Sequence, residues 1–124
     1  MYSKIEEWLS NLLEQEIPSE TVAFCFNLYE DDGDTWSLEL VGTGDFDVDP
    51  RKPDWACEEV TDFDTREAPL SWEKEAEWDE ILDDVITALK QYLETGIHAD
   101  VLKAYAGVGV GFVDGDMEIL YTKE

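Results

Sequence analysis

The chain has 124 residues, of which 44% are apolar and 12% aromatic, so it can form one folded domain over residues 1–124 and is not a disordered chain. Its 32 acidic residues against 8 basic ones give a net charge of −24, which excludes nucleic acid and anionic membranes as natural partners. The N-terminus lacks the basic and apolar stretches of a signal peptide, and no segment is apolar enough to span a bilayer, so we expect a cytoplasmic protein.

The first third of the chain predicts a helix followed by a β-hairpin. The helix carries one apolar face at helical spacing: Ile5, Trp8, Leu9, Leu12 and Leu13. Two runs then alternate apolar and polar residues, Val22 to Tyr29 and Trp36 to Leu40, and the segment Asp31–Asp34 between them has the composition of a hairpin turn. One face of this hairpin is apolar throughout, so the first helix is expected to cover it.

The middle of the chain predicts a short strand and a long helix. The strand is expected over Trp55 to Val60, and a polar connection follows from Thr61 to Pro69. A second helix is predicted from an N-cap at Ser71 to Gly96, because acidic residues crowd its first turns and an apolar stripe follows. Trp78 on this stripe and Trp36 on the strand face are expected in the core.

The last part of the chain predicts a second hairpin, with Asp114-Gly115-Asp116 as its turn. Its first strand alternates valine with glycine, and close approach of a helix or another backbone is expected there, because glycine otherwise weakens a strand. The predicted fold is α+β: an antiparallel sheet of four to five strands, made of two hairpins, with the N-terminal helix and the long central helix packed on one face. Edge strands in such a sheet allow a monomer or a homodimer.

No residue pattern favours catalysis, a cofactor or a metal site. His98 is the only histidine, and no nucleophile stands at a spacing that would pair with it. Cys25 and Cys57 lie in strand-like runs without metal-ligand spacing, which favours two buried free thiols. The segment Asp45–Asp49 imitates the start of a calcium loop, but Pro50 stands where glycine is required. We therefore expect a binding protein and not an enzyme.

The acidic excess is concentrated in one part of the sequence. Residues 30–84 carry 21 acidic and 4 basic residues, a net charge of −17, and large aromatic residues are interleaved with them. Acids around aromatic anchors are typical of a surface that binds a cationic protein, whereas an acidic solvation coat would be spread evenly. The expected partner-binding residues are Asp31, Asp32, Asp34, Asp45, Phe46, Asp47, Asp49, Trp55, Glu58, Glu59, Asp62, Phe63, Asp64 and Trp72.

Three features of the chain together suggest a family: the segment "AFCFNLYEDDGDTWSLELVGTGDFD", the Trp-rich acidic helix and the closing "GVGVGFVDGDMEILY" hairpin. In these the chain resembles the immunity proteins of bacterial toxin–immunity systems, including those paired with contact-dependent growth-inhibition nucleases. The resemblance implies a cytoplasmic inhibitor that covers the active site or substrate groove of a basic nuclease toxin. Two alternatives stay open: a nucleic-acid mimic that blocks a DNA- or RNA-binding protein, and a small carboxylate-dependent enzyme.

Overall fold

Three helices and six strands make up the part of the chain that the structure, a computed structural model, describes: residues 2–49, 51–113, 115 and 117–123. In chain order the elements are α1 (Tyr2–Leu12), β1 (Ala23–Glu30), β2 (Thr35–Thr43), a 3₁₀ helix (Pro53–Cys57), β3 (Glu59–Thr61), β4 (Leu70–Glu73), α2 (Trp78–Thr95), α3 (Ala99–Lys103), β5 (Gly107–Phe112) and β6 (Met117–Thr122). The α+β class is therefore as predicted.

The strands form one mixed sheet in the order β3-β2-β1-β5-β6, and β4 pairs with the same outer edge of β2 as β3 does. Both predicted hairpins, β1–β2 and β5–β6, are present and antiparallel. The prediction of an antiparallel sheet of four to five strands is confirmed only in part, because the described residues form six strands and β1 and β5 join the two hairpins in parallel. A connection that contains α2 and α3 returns the chain to the end of the sheet where β1 begins, as parallel pairing requires.

The acidic segment before α2 folds differently from its prediction. Ser71 does not cap a helix: it lies in β4, where Trp72 pairs opposite Trp36 and turns its side chain into the core. The long helix begins only at Trp78, after an N-cap at Glu77. Burial of one large aromatic side chain on the sheet edge outweighs the helix preference of the acids around it. The predicted strand from residue 55 to 60 is likewise divided into the 3₁₀ helix and the short β3.

The larger core lies between one face of the sheet and the helices, as expected for the two predicted helices. Its fully buried side chains come from α1, from the sheet and from α2 and α3: Ile5, Leu9, Phe24, Phe26, Leu28, Trp36, Leu38, Leu40, Val108, Val110, Ile81, Val85, Leu89, Tyr92 and Leu102. This core fixes the start of α2 beside the ends of β1 and β5.

The other face of the sheet is covered by the segment that follows β2. A Cβ at Gly107 would overlap the ring of Phe46, and one at Gly109 would lie 2.8 Å from the Sδ of Met117 and 3.2 Å from the ring of Trp55. Close approach at the glycines is therefore as expected, but the approaching groups are side chains and not a helix or a backbone. The aspartates of the predicted second turn, at 114 and 116, lie outside the described residues.

The two cysteines are free, and only one of them is buried. Cys25 lies in β1, inside the small core that covers the second face of the sheet, as predicted. Cys57 ends the 3₁₀ helix and is exposed, so its predicted burial is wrong. The prediction placed Cys57 inside a strand, and the helical turn points it outward instead.

Candidate binding surface

The predicted acidic residues lie in two groups at opposite ends of β2. One group is the turn before this strand, with Asp31, Asp32 and Asp34. The other group lies toward its far end, where Glu59 pairs opposite Thr43. Its members are Asp45, Asp47, Asp49, Glu58, Glu59, Asp62 and Asp64. Eight steps along an extended strand separate the two ends by about 27 Å, so these residues form two groups and not one face.

Four aromatic residues were expected as surface anchors, and they pack against the sheet instead. Trp55, Phe63 and Trp72 are buried, and Phe46 is half-buried over β5. A buried side chain cannot contact a partner unless the fold rearranges, so the interleaving of aromatics with acids in the sequence reflects core packing. The opposite error concerns Trp78, which was expected in the core and is 58% exposed because it is the first residue of α2.

At the far end of β2, carboxylates of the acidic group accept hydrogen bonds from the backbone of the loops in which they lie. Those of Asp45, Asp47 and Asp49 each accept a hydrogen bond of 2.8–2.9 Å from a backbone N–H one or two residues later. The guanidinium of Arg51 lies 3.1 Å from Asp49 and lowers the pKa of that carboxyl. Asp62 makes a similar bond, of 3.0 Å. Among the described residues, no group of three or more His, Cys, Asp or Glu side chains could hold a metal ion.

The start of α2 joins the group before β2, although its acids are not among the predicted partner-binding residues. The backbone N–H of Lys74 donates a 2.9 Å hydrogen bond to the carbonyl oxygen of Asp34, which holds the β1–β2 turn against the connection from β4 to α2. Residues 30–34 and 73–84 together carry eleven acids and one base, and we call them the acidic end. Ten of the eleven acids are exposed. The base, Lys74, lies 2.7 Å from Asp84 and 3.1 Å from Glu80.

An apolar groove of about 750 Å³ opens beside the acidic end. Its walls come from the start of α2 and from the end of β5, where Trp78 is 58% and Val113 53% exposed. The ring of Trp78 stands edge-on to that of Phe112, with 6.1 Å between ring centroids and an interplanar angle of 85°. Glu30 and Glu118 also line the groove. Large apolar side chains thus reach solvent here between carboxylates.

A second cleft, of about 700 Å³, lies on the other face of the sheet and contains a buried carboxylate. Glu39 is 2% exposed, and its Oε1 accepts hydrogen bonds from Tyr29 at 2.7 Å and from Asn27 at 2.8 Å. The guanidinium of Arg66 lies 3.4 Å from the carboxylate of Glu39 and 2.7 Å from the carboxylate of Glu59. Burial disfavours the charged form of Glu39, but the hydrogen bonds from its three donors outweigh burial and lower its pKa.

Burial and the same carboxylate raise the pKa of Tyr29 to about 12. This cluster is not predicted from the sequence, because alternation along β2 assigns Glu39 to a solvent-facing side. The segment with Trp55 covers that side of the sheet. Alternation along a strand shows which residues share a face, but it does not show whether another segment covers that face. The available signal was the position of one acid between leucines, in the run "LEL".

Comparisons of the chain with protein-family models, with curated proteins and with solved structures found no match. Among the described residues, no helix has the length and apolar character needed to cross a membrane.

Proposed function

We propose that this protein is an acidic cytoplasmic inhibitor whose acidic end binds a basic partner protein, and that the partner is a nuclease toxin whose active site or substrate groove it covers. The observation that carries this proposal is the uncompensated charge of the acidic end, which contains eleven acidic residues and one basic residue. The acids are displayed on a hairpin turn, on β4 and on the start of α2, so their positions are held by the fold.

Internal roles account for only part of this charge. Asp79 and Glu80 lie in the first turn of α2, where the helix dipole favours negative charge. Lys74 neutralises part of the group through its two ion pairs. The remaining carboxylates repel one another, and this repulsion costs stability in the free protein. A partner that brings lysine and arginine to this surface removes that cost.

A nuclease toxin supplies the required chemistry. A protein that binds polyphosphate presents Lys and Arg in its substrate groove, and carboxylates held on a rigid surface can occupy the same groove. Opposite charge on the two proteins also raises the association rate, to about 10⁸–10⁹ M⁻¹s⁻¹ at low salt. Rapid capture is the property that an inhibitor of a toxic enzyme needs. A mimic that blocks a DNA- or RNA-binding protein would use the same surface.

The enzyme alternative has one feature in its favour, the pair of carboxylates in the second cleft. Glu39 and Glu59 converge there, but Arg66 lies between them and pairs with both. The lowered pKa of Glu39 also keeps this group ionised at neutral pH, whereas a general acid needs a raised pKa. The cluster is better explained as a structural tie between β2 and the segment after β3.

The test is capture of partners from the source organism with the full chain at low salt, followed by measurement of affinity. We expect recovery of a basic nuclease, with a Kd that rises steeply between about 50 and 500 mM salt as screening increases. An inhibited nuclease activity identifies a toxin, and a basic nucleic-acid-binding protein without nuclease activity identifies the mimic. Recovery of acidic proteins alone, or an affinity that does not change with salt, would refute the electrostatic proposal.

Two matched triple variants locate the contact. The first, Asp32→Asn, Glu75→Gln and Glu77→Gln, removes three exposed charges of the acidic end. The control, Glu7→Gln, Glu94→Gln and Asp100→Asn, removes three exposed charges elsewhere. At about 0.5 kcal/mol for each ion pair, the first triple should weaken binding about tenfold, and the control should change Kd less than about twofold. Equal effects of the two triples would show that net charge alone, and not this surface, determines binding.

A further inference from the structure

We infer that the groove beside the acidic end receives one large apolar side chain of the partner, flanked in the partner's sequence by lysine or arginine. This inference rests on the proposed function, because it names the contact that gives the acidic surface its specificity. Charge attracts any basic protein, whereas a shaped apolar groove selects among them.

One wall of the groove consists of aromatic side chains that are held in place by the core. Trp36, which is buried in the core, contacts Phe112 with 6.1 Å between ring centroids, and Phe112 in turn contacts Trp78 at 6.1 Å. This series of rings runs from the core to the surface, so the exposed ring of Trp78 is held in place from behind. Tryptophan that is fixed and exposed before binding loses little conformational entropy on contact, which is the property of residues that dominate binding energy.

The charges around the groove select its occupant. Glu30 and Glu118 line the groove, and the acidic end continues beyond it on α2 and on the β1–β2 turn. An apolar side chain gains from burial against the wall, and basic neighbours in its sequence lie against these carboxylates. A second copy of this chain would instead bring a net charge of −24 to the same place, and an anionic membrane would also be repelled.

The experiment uses three synthetic peptides and the full chain: Lys-Lys-Gly-Leu-Gly-Lys-Lys, the same peptide with alanine in place of leucine, and the leucine peptide with glutamate in place of every lysine. Peptide affinities at low salt are measured by isothermal titration calorimetry for the wild type and for every variant. NMR of the wild type then locates the contact through the indole N–H signal of Trp78, which is identified by its loss in Trp78→Ala. We expect the basic leucine peptide to bind about fivefold more tightly than the basic alanine peptide, because leucine buries more apolar surface. The glutamate peptide should not bind.

Two variants and a control test the position. The preference for leucine should disappear in Trp78→Ala and in Val113→Glu, which fills the groove with a charged side chain. It should persist in Ile97→Ala, which truncates a side chain that is 72% exposed just after the other end of α2. Equal affinity of the two basic peptides for the wild type, or a leucine preference that survives both groove variants, would refute the groove and leave the proposed function standing. Failure of both basic peptides to bind would refute the proposed function as well.

Discussion

Replacement of the buried carboxylate, Glu39→Ala, is the sharpest test of how this acidic chain is held together. The substitution removes the shared acceptor of Tyr29 and Asn27, whose hydrogen bonds measure 2.7 and 2.8 Å. A hydrogen bond to a charged group contributes about 1.5–3 kcal/mol. Both donors are only half-buried, so water replaces part of what they lose. The distant contact with half-exposed Arg66 adds less than about 1 kcal/mol.

We therefore expect Glu39→Ala to lower the free energy of unfolding by about 2–3 kcal/mol at pH 7. The measurement is urea denaturation followed by circular dichroism, because urea is uncharged and leaves the repulsion among the acids unscreened. The control is Glu73→Ala, which removes an exposed carboxylate on β4 and should change stability by less than about 0.5 kcal/mol.

The pH dependence of this difference tests the ionised state directly. The pKa of Glu39 is lowered from an ordinary value of 4.5, so its ionised form stabilises the fold above that pH, and this contribution is lost as pH falls through the lower folded pKa. The gap between wild type and Glu39→Ala should therefore narrow on going from pH 7 to pH 3. The other acids titrate in both proteins and largely cancel in the comparison. Dilute protein is needed, because the pI is near 4.1.

A gap of less than about 0.5 kcal/mol at pH 7 would show that Tyr29 and Asn27 are satisfied equally well by water. A gap that is the same at pH 7 and at pH 3 would show that the charge of Glu39 contributes nothing. Either result would refute the view that this carboxylate holds the second face of the sheet together.

Three further predictions concern other parts of the molecule. Gly107→Ala should lower the free energy of unfolding, measured by thermal denaturation, by about 1–3 kcal/mol, because the new methyl group overlaps the ring of Phe46. In the control Gly115→Ala the nearest atom lies 3.6 Å from the new methyl group, so the free energy of unfolding should fall by less than about 0.5 kcal/mol. Equal losses of stability in the two variants would contradict this packing. A thiol reagent at pH 8 should label only Cys57 in the native protein and both cysteines in urea, because burial raises the pKa of Cys25 to about 12; rapid labelling of two native thiols would contradict its burial. The urea midpoint of the free protein should rise between about 50 and 500 mM NaCl, because salt screens the repulsion of a net charge of −24; a falling midpoint would show that internal ion pairs dominate.

The helices and hairpins could be predicted because their signals are local. Apolar spacing in α1 and the turn at Asp31–Asp34 involve residues within a few positions of one another. The parallel pairing of β1 with β5 joins residues more than 80 positions apart, and no local period records it. Trp72 and Trp78 stand in equally acidic surroundings but have opposite burial. Their difference depends on where β4 ends and α2 begins, and that boundary is set by tertiary packing.

The acidic region could also be predicted only in part. The count of charges between residues 30 and 84 located the excess, because charge is a property of composition. Which acids share a surface depends on long-range contacts: the pairing of β4 with β2 and the hydrogen bond from the backbone N–H of Lys74 to the carbonyl oxygen of Asp34. These contacts add the start of α2 to the turn, and the length of β2 separates both from the loop at Asp45–Asp49. The groove at Trp78 follows from the same arrangement.

The ion pairs of the sheet edge are the reason that we assign the remaining charge of the acidic end to the proposed partner. Arg66 ties the segment after β3 to Glu39 and Glu59, and Lys74 ties the end of β4 to α2. These bases are committed to internal contacts, so the other acids of the acidic end have no comparable partner within the described residues. We therefore expect salt to have opposite effects on two equilibria: it should stabilise the free protein by screening repulsion, and it should weaken the proposed complex, which is held by attraction. An acidic solvation coat gives only the first effect, so the pair of measurements separates a coat from a binding surface.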